Sequence, residues 1–182
     1  MKNRNKNIPF ILIILVIITI LLLLEKQQSY SEPQEALLAT EDNLLLVPAY
    51  YIEDEALFFF IKNRNNLGAS FVGKGFFGWK AGMLTWSSMK DHYEEKLNGY
   101  QRHGENLIYG ILKGREGEGF IVKVNENEAN ILNLAMLPTE VITQYQLENL
   151  SIWYFESETA IEEGEIKLIN KETDQEIDII EL

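Results

Sequence analysis

The chain has 182 residues, no cysteine, and 28 acidic against 16 basic side chains, for a formal net charge of −12. Without thiols there are no disulfides, no thiolate metal sites and no lipid-modified amino-terminal cysteine. The acidic balance argues against nucleic acid as a partner, because nucleic acid is held mainly by Lys and Arg neutralising its phosphates.

The charges are unevenly placed. Lys2, Arg4 and Lys6 open the chain, and no Asp or Glu occurs before Glu25. Between them, Ile8–Leu24 (IPFILIILVIITILLLL) is uncharged, with the Thr19 hydroxyl as its only polar side chain. As a helix this run rises roughly 25 Å, close to the hydrocarbon thickness of a bilayer. A helix also satisfies its own backbone amides there, which hydrocarbon cannot do. The expected organisation is therefore a basic cytoplasmic tail over residues 1–7 and a transmembrane signal anchor over 8–24, with Ile8, Phe10, Leu15 and Leu24 among the lipid-facing residues. A tether over 25–35 and an extracytoplasmic β-rich domain over 36–182 follow. The basic start places the amino terminus inside. A cleaved signal peptide, leaving a secreted domain, is the competing reading. The apolar run is rather long for one, and Ser29-Tyr30-Ser31 is a poor cleavage site.

Past the polar stretch Glu25–Pro33, Ser31 is placed to cap a brief helix over Pro33–Ala39, with proline in its first turn. Leu44–Ile52 (LLLVPAYYI) and Ala56–Ile61 (ALFFFI) then read as strands around the charged trio Glu53-Asp54-Glu55. Asn63–Asn66 is a turn, since Asn tolerates left-handed backbone angles, and it makes a hairpin of Ala56–Ile61 with Leu67–Val72. Ser87–Asn98 has Met89, Tyr93 and Leu97 at helical spacing, a capping-box pattern at Ser88 and Asp91, and a stop at Asn98-Gly99. Leu107–Leu112 (LIYGIL), the GREGEG turn and Phe120–Val124 (FIVKV) read as a second hairpin. Ala129–Leu134, Ile152–Phe155, Glu165–Ile169 and Glu176–Ile180 continue the series, the last two joined by a polar turn. Short strands at fairly even spacing predict a mainly β domain, an antiparallel sandwich or partial barrel, with an α+β arrangement as the variant.

Gly73-Lys74-Gly75-Phe76-Phe77-Gly78 matches G-x-G-x-x-G, but WKAGMLTW follows where a dinucleotide site needs a helix, so a glycine-bent strand is expected instead. Around it Phe71, Phe76, Phe77, Trp79 and Trp86 form the densest aromatic cluster. Most of these rings are expected in the core. Phe76, Phe77, Trp79 and Trp86 are the candidate binding residues, with the two tryptophans the best placed to be exposed, since Trp is seldom fully buried. His92 and His103 read as surface residues, and the adjacent Asp91 and His92 diverge on a helix, so no zinc site is expected. Calcium is the one cofactor with candidate ligands, at Glu53-Asp54-Glu55, Asn125–Glu128 and Glu162-Glu163 with Glu165, though none has the spacing of a calcium loop.

The progression LLLVPAYYIEDEALFFFIKN, then NNLGASFVGKGFFGWK, resembles small exported or membrane-anchored proteins of Gram-positive bacteria, which also end in strands like IYGILKG, SIWYF and EIKLINKETDQEI. The resemblance implies a location and a small β-rich domain, and brings no catalytic residues with it. Together these readings point to a membrane-held interaction or accessory domain, binding a protein or envelope ligand through its glycine- and aromatic-rich surface. A cell-envelope hydrolase using paired carboxylates is the alternative.

Overall fold

The computed structural model describes residues 8–89, 97, 99–114 and 119–182. Helix α1 (Ile8–Gln27) contains the apolar run and continues one turn beyond it. Helix α2 (Pro33–Thr40) follows. Its start is held by Glu35, whose Oε2 accepts from the Glu32 backbone N–H at 3.3 Å and the Ser31 hydroxyl at 2.9 Å. The N-cap is thus Glu32 rather than Ser31, and Ser31 braces the Glu35 carboxylate one residue outside.

Strands β1 (Leu44–Ile52), β2 (Glu55–Lys62) and β3 (Asn66–Gly75) form an antiparallel meander. The turn between β2 and β3 carries Asn63 and Arg64 at positive φ, as the asparagine-rich sequence anticipates. One edge of β3 is shared, with β4 (Gly78–Ala81) pairing along its second half and β5 (Thr85–Ser88) along its first. Ser87 and Ser88 are therefore strand. The remainder of the helix expected over Ser87–Asn98 lies outside the described residues, apart from Met89 and Leu97.

A second sheet is assembled from β6 (Gln101–His103) and β7 (Leu107–Lys113), together with two later strands. Strands β8 (Phe120–Val124) and β9 (Asn127–Glu128) belong to a third sheet, and β10 (Asn130–Asn133) returns to the second. A 3₁₀ turn at Leu134–Met136 and helix α3 (Thr139–Tyr145) lead into β11 (Leu150–Glu156), which lies between β10 and β7. The closing hairpin, β12 (Glu165–Asn170) and β13 (Glu176–Glu181), completes the third sheet beside β8. The domain is mainly β, as expected, built as three stacked antiparallel sheets with α2 on the outside of the first.

The second sheet lies between the other two, and that explains its sequence. In β7, Leu107, Tyr109 and Ile111 face the first sheet, meeting Leu57, Phe59 and Ile61 of β2. Ile108 and Leu112 point the other way, toward Val122, Val124, Ile166 and Leu168 of the third sheet. β2 is covered on both faces as well, because Ala56 and Phe58 pack under Ala36 and Leu37 of α2. A strand buried on both faces reads as a continuous apolar run instead of an alternating one. This corrects the second expected hairpin. β7 pairs with β6 and β11 and never with β8, because its two apolar faces hold it in the middle layer while β8 crosses to the outer one.

Gly110 sits where the layers leave no room. A Cβ there would stand 2.7 Å from Trp153 Nε1 and 3.0 Å from the Gly99 carbonyl oxygen. Gly110→Ala is expected to lower stability by about 1–3 kcal/mol, the usual cost of overpacking. Gly73→Ala, with nothing within 4 Å of the added methyl, is expected to shift it by no more than about 0.5 kcal/mol. Thermal unfolding of the two variants of the full chain in detergent checks the contrast.

Candidate functional site

The aromatic cluster does not form one surface. Phe76 and Phe77 are the two residues of the β3–β4 turn, between the paired Gly75 and Gly78. The glycine motif is therefore a hairpin tip, with strand β4 directly after it. Phe76 is 93% exposed, and its only ring partner among the described residues is Phe77, edge-on at 5.0 Å. Trp79 is 8% exposed and packs with Ala36, Leu37, Phe58 and Val72 beneath α2. Trp86 is 45% exposed but lies opposite Gly68, at the far end of β3 from the tip. The seven residue steps from Gly68 to Gly75 separate the two by roughly 23 Å of strand.

Trp86 is not an open platform either. The Lys62 ammonium lies 3.9 Å from its ring centroid and is paired with Glu41 at 3.0 Å, while Phe60 meets the indole edge-on. Strand alternation puts neighbouring aromatics on opposite faces, and that much is legible in sequence. The burial of Trp79 is not, because it depends on α2 folding back over the first sheet.

The tip lies next to α1. Phe76 and Phe77 line a shallow apolar groove with Ile18, Leu21, Leu22 and Glu25. Just past the helix, Tyr30 forms a β-bridge with Trp79, its N–H donating to the Trp79 carbonyl at 2.9 Å and its carbonyl accepting at 2.8 Å. Lys80 and Glu25 close an ion pair at 2.6 Å beside the bridge. Gly78 makes this junction possible. Its φ is +138°, a conformation L side chains rarely adopt, and the Tyr30 carbonyl occupies the space a Cβ would need.

Elsewhere, Tyr50 brings two carboxylates together. Its hydroxyl reaches Glu156 Oε2 at 2.9 Å and Glu55 Oε1 at 3.2 Å, in an open cleft lined also by Asn130 and Tyr154. Burial first, and then the bond to Glu156, raise the Tyr50 phenol above its ordinary range, so it stays protonated. One phenol proton serves one carboxylate at a time, and the Glu156 bond ties β1 of the first sheet to β11 of the second. Of the calcium candidates, Asn125 has a structural task, its Oδ1 accepting from the Glu165 N–H at 3.0 Å. No group of three or more His, Asp or Glu poised to hold a metal occurs among the described residues.

His103 is not a surface residue. It is buried between the first two sheets, with Nδ1 2.7 Å from the Thr85 hydroxyl and its ring against Phe71. Phe71 of β3 and Thr85 of β5, which enclose it, lie well before it in the chain, so no local pattern announces it. His92 lies outside the described residues. In comparisons with known proteins, no family model, no curated protein and no solved structure matches the chain.

Burial lowers the His103 pKa below 6.5, because desolvation penalises the imidazolium. The unfolded chain therefore takes up this proton first on acidification, so the stabilising contribution is complete above pH 6.5 and is lost as pH falls through the depressed folded value. Melting temperatures of the parent and His103→Asn chains are expected to differ by a constant amount above pH 7 and to converge below pH 6.5. Gly78→Ala should free the segment after α1, seen as severalfold faster tryptic cleavage after Lys26 with little change in cleavage elsewhere.

Proposed function

We propose that this chain is a membrane-anchored, extracytoplasmic interaction domain, an accessory that binds a protein or envelope ligand at the outer face of the membrane that α1 crosses. The observation that carries the reading is the span Phe10–Gln27, with a mean hydropathy of 2.5 and none of its residues buried. A run of exposed apolar side chains of this length is what the hydrocarbon core of a bilayer accommodates. The basic residues Lys2, Arg4 and Lys6 support an inside amino terminus, and the acidic remainder suits the opposite face.

For the ligand-binding surface, the supporting feature is the half-exposed Trp86 with the Lys62–Glu41 pair across its ring. A half-exposed indole flanked by a charged pair has the composition of an interface hot spot. The carboxylate hydrolase remains the second reading, resting on the meeting of Glu55 and Glu156 at Tyr50. That contact has an evident structural use as a tie between sheets, so binding stands first.

Arginine at the centre of a span costs about 2.5–3.5 kcal/mol each on insertion scales. The double substitution Leu15→Arg with Ile18→Arg is therefore expected to move most of the protein out of the carbonate-resistant membrane fraction. Because the chain has no cysteine, Met136→Cys offers a single thiol on the β domain. Its modification by a membrane-impermeant maleimide on intact cells is expected, whereas modification only after lysis would reverse the orientation. Crosslinking on intact cells then tests the binding surface. A discrete partner lost on Trp86→Ala, at unchanged melting temperature, is the expected result. No protein partner, together with glycan hydrolysis abolished by Glu156→Gln, would replace binding with the hydrolase.

A further inference from the structure

We infer that the β3–β4 hairpin tip, Phe76-Phe77, is a second membrane contact, its rings immersed among the lipid acyl chains of the same leaflet from which α1 emerges. The inference rests on α1 spanning a membrane and adds to that reading a defined lipid-binding surface on the β domain.

Three observations converge on the acyl chains as the occupant. The first is exposure. Phe76 is almost entirely uncovered, and a tight turn between two glycines has no folding need for a phenylalanine pair. The second is depth. The rings line one groove with Ile18, Leu21, Leu22 and Glu25, so the groove runs from the first charge after the apolar run back seven residues into that run. At 1.5 Å per residue its far end lies roughly 10 Å beneath the level of that charge. Amphipathic elements lying in a bilayer interface bury their apolar groups to a similar depth.

The third is the collar of polar groups at the level above. Lys80 pairs with Glu25, Lys74 reaches over the Trp79 ring, and Tyr30 bridges to Trp79. Lysines with their ammonium groups above apolar neighbours, and ring systems set just beneath, are what a membrane interface selects. The acidic turn Glu53-Asp54 adjoins this end of the sheet through the Lys74 N–H to Asp54 carbonyl bond at 2.7 Å. Attraction to anionic headgroups is thus not the driving force, and apolar burial in neutral lipid is.

The lack of cysteine makes the test direct. Phe76→Cys, carrying a nitroxide, is reconstituted as the full chain in phosphatidylcholine vesicles, beside Leu15→Cys and Met136→Cys. Relative accessibility to oxygen and to a water-soluble nickel chelate then reports depth. The expected result is a label at 76 shielded from nickel and open to oxygen, shallower than 15, with 136 open to nickel. As a conservative counterpart, Phe76→Trp is expected to gain quenching by brominated lipid over the parent chain.

A label at 76 open to nickel while 15 is shielded overturns the inference and leaves the anchor standing. A label at 76 shielded from both reagents overturns it in favour of a protein partner or a second copy covering the tip. Quenching of Phe76→Trp no greater than the parent's also overturns it. A label at 15 open to nickel removes the anchor reading, and the inference falls with it.

Discussion

Everything in the β domain depends on two central strands of the middle sheet, β7 and β11, that are covered on both faces. β7 and β11 carry apolar side chains up and down alternately, so each outer sheet covers one half of them and neither outer sheet suffices alone. Burial on this scale is the main favourable term in folding. It also imposes conditions. The layers must approach closely, which is why Gly110 lies bare beneath the Trp153 ring. Polar groups caught between them need partners, and Thr85 with His103 supplies one such pair. Tyr109 pays for the same position, its phenol pushed up to about 12 by burial.

How much of this was legible in the sequence varies with how local the cause is. β1 was read to the residue because its apolar run is bounded by turn-forming residues on both sides. The β2–β3 and β12–β13 hairpins were legible because their turns are written in Asn and polar residues. The separation of β8 from β7 has no local sign. A continuous apolar run such as LIYGIL marks burial on both faces, and a sequence cannot say which two layers provide it. The capping shift from Ser31 to Glu32 is a matter of one residue, and the Ser31 hydroxyl and the Glu32 backbone N–H converge on the same Glu35 carboxylate.

The candidate site was legible only in part for the same reason. That Phe76, Phe77, Trp79 and Trp86 could not all share a face followed from strand alternation. Which of them would be covered did not, because the cover for Trp79 is α2 and the cover for Trp86 is Lys62, both far from it in sequence. The neighbourhood of the tip and α1 was likewise invisible, since it needs the chain to turn back through the Tyr30–Trp79 bridge. His103 carries no local sign that two sheets close over it.

That bridge also governs how the domain would meet a partner. Three residues after α1 ends, the chain is already hydrogen-bonded into the first sheet, so the segment cannot behave as a flexible leash. A leashed domain explores a hemisphere and must surrender that freedom when it docks. A domain braced at its root has surrendered most of it beforehand, so, with α1 as the membrane anchor proposed above, association with a partner in the same membrane would carry a smaller entropic penalty. The corresponding restriction is one of reach. Anchored in that way, the domain would select neighbours by height and orientation above the bilayer, and a ligand held farther out would have to come to it.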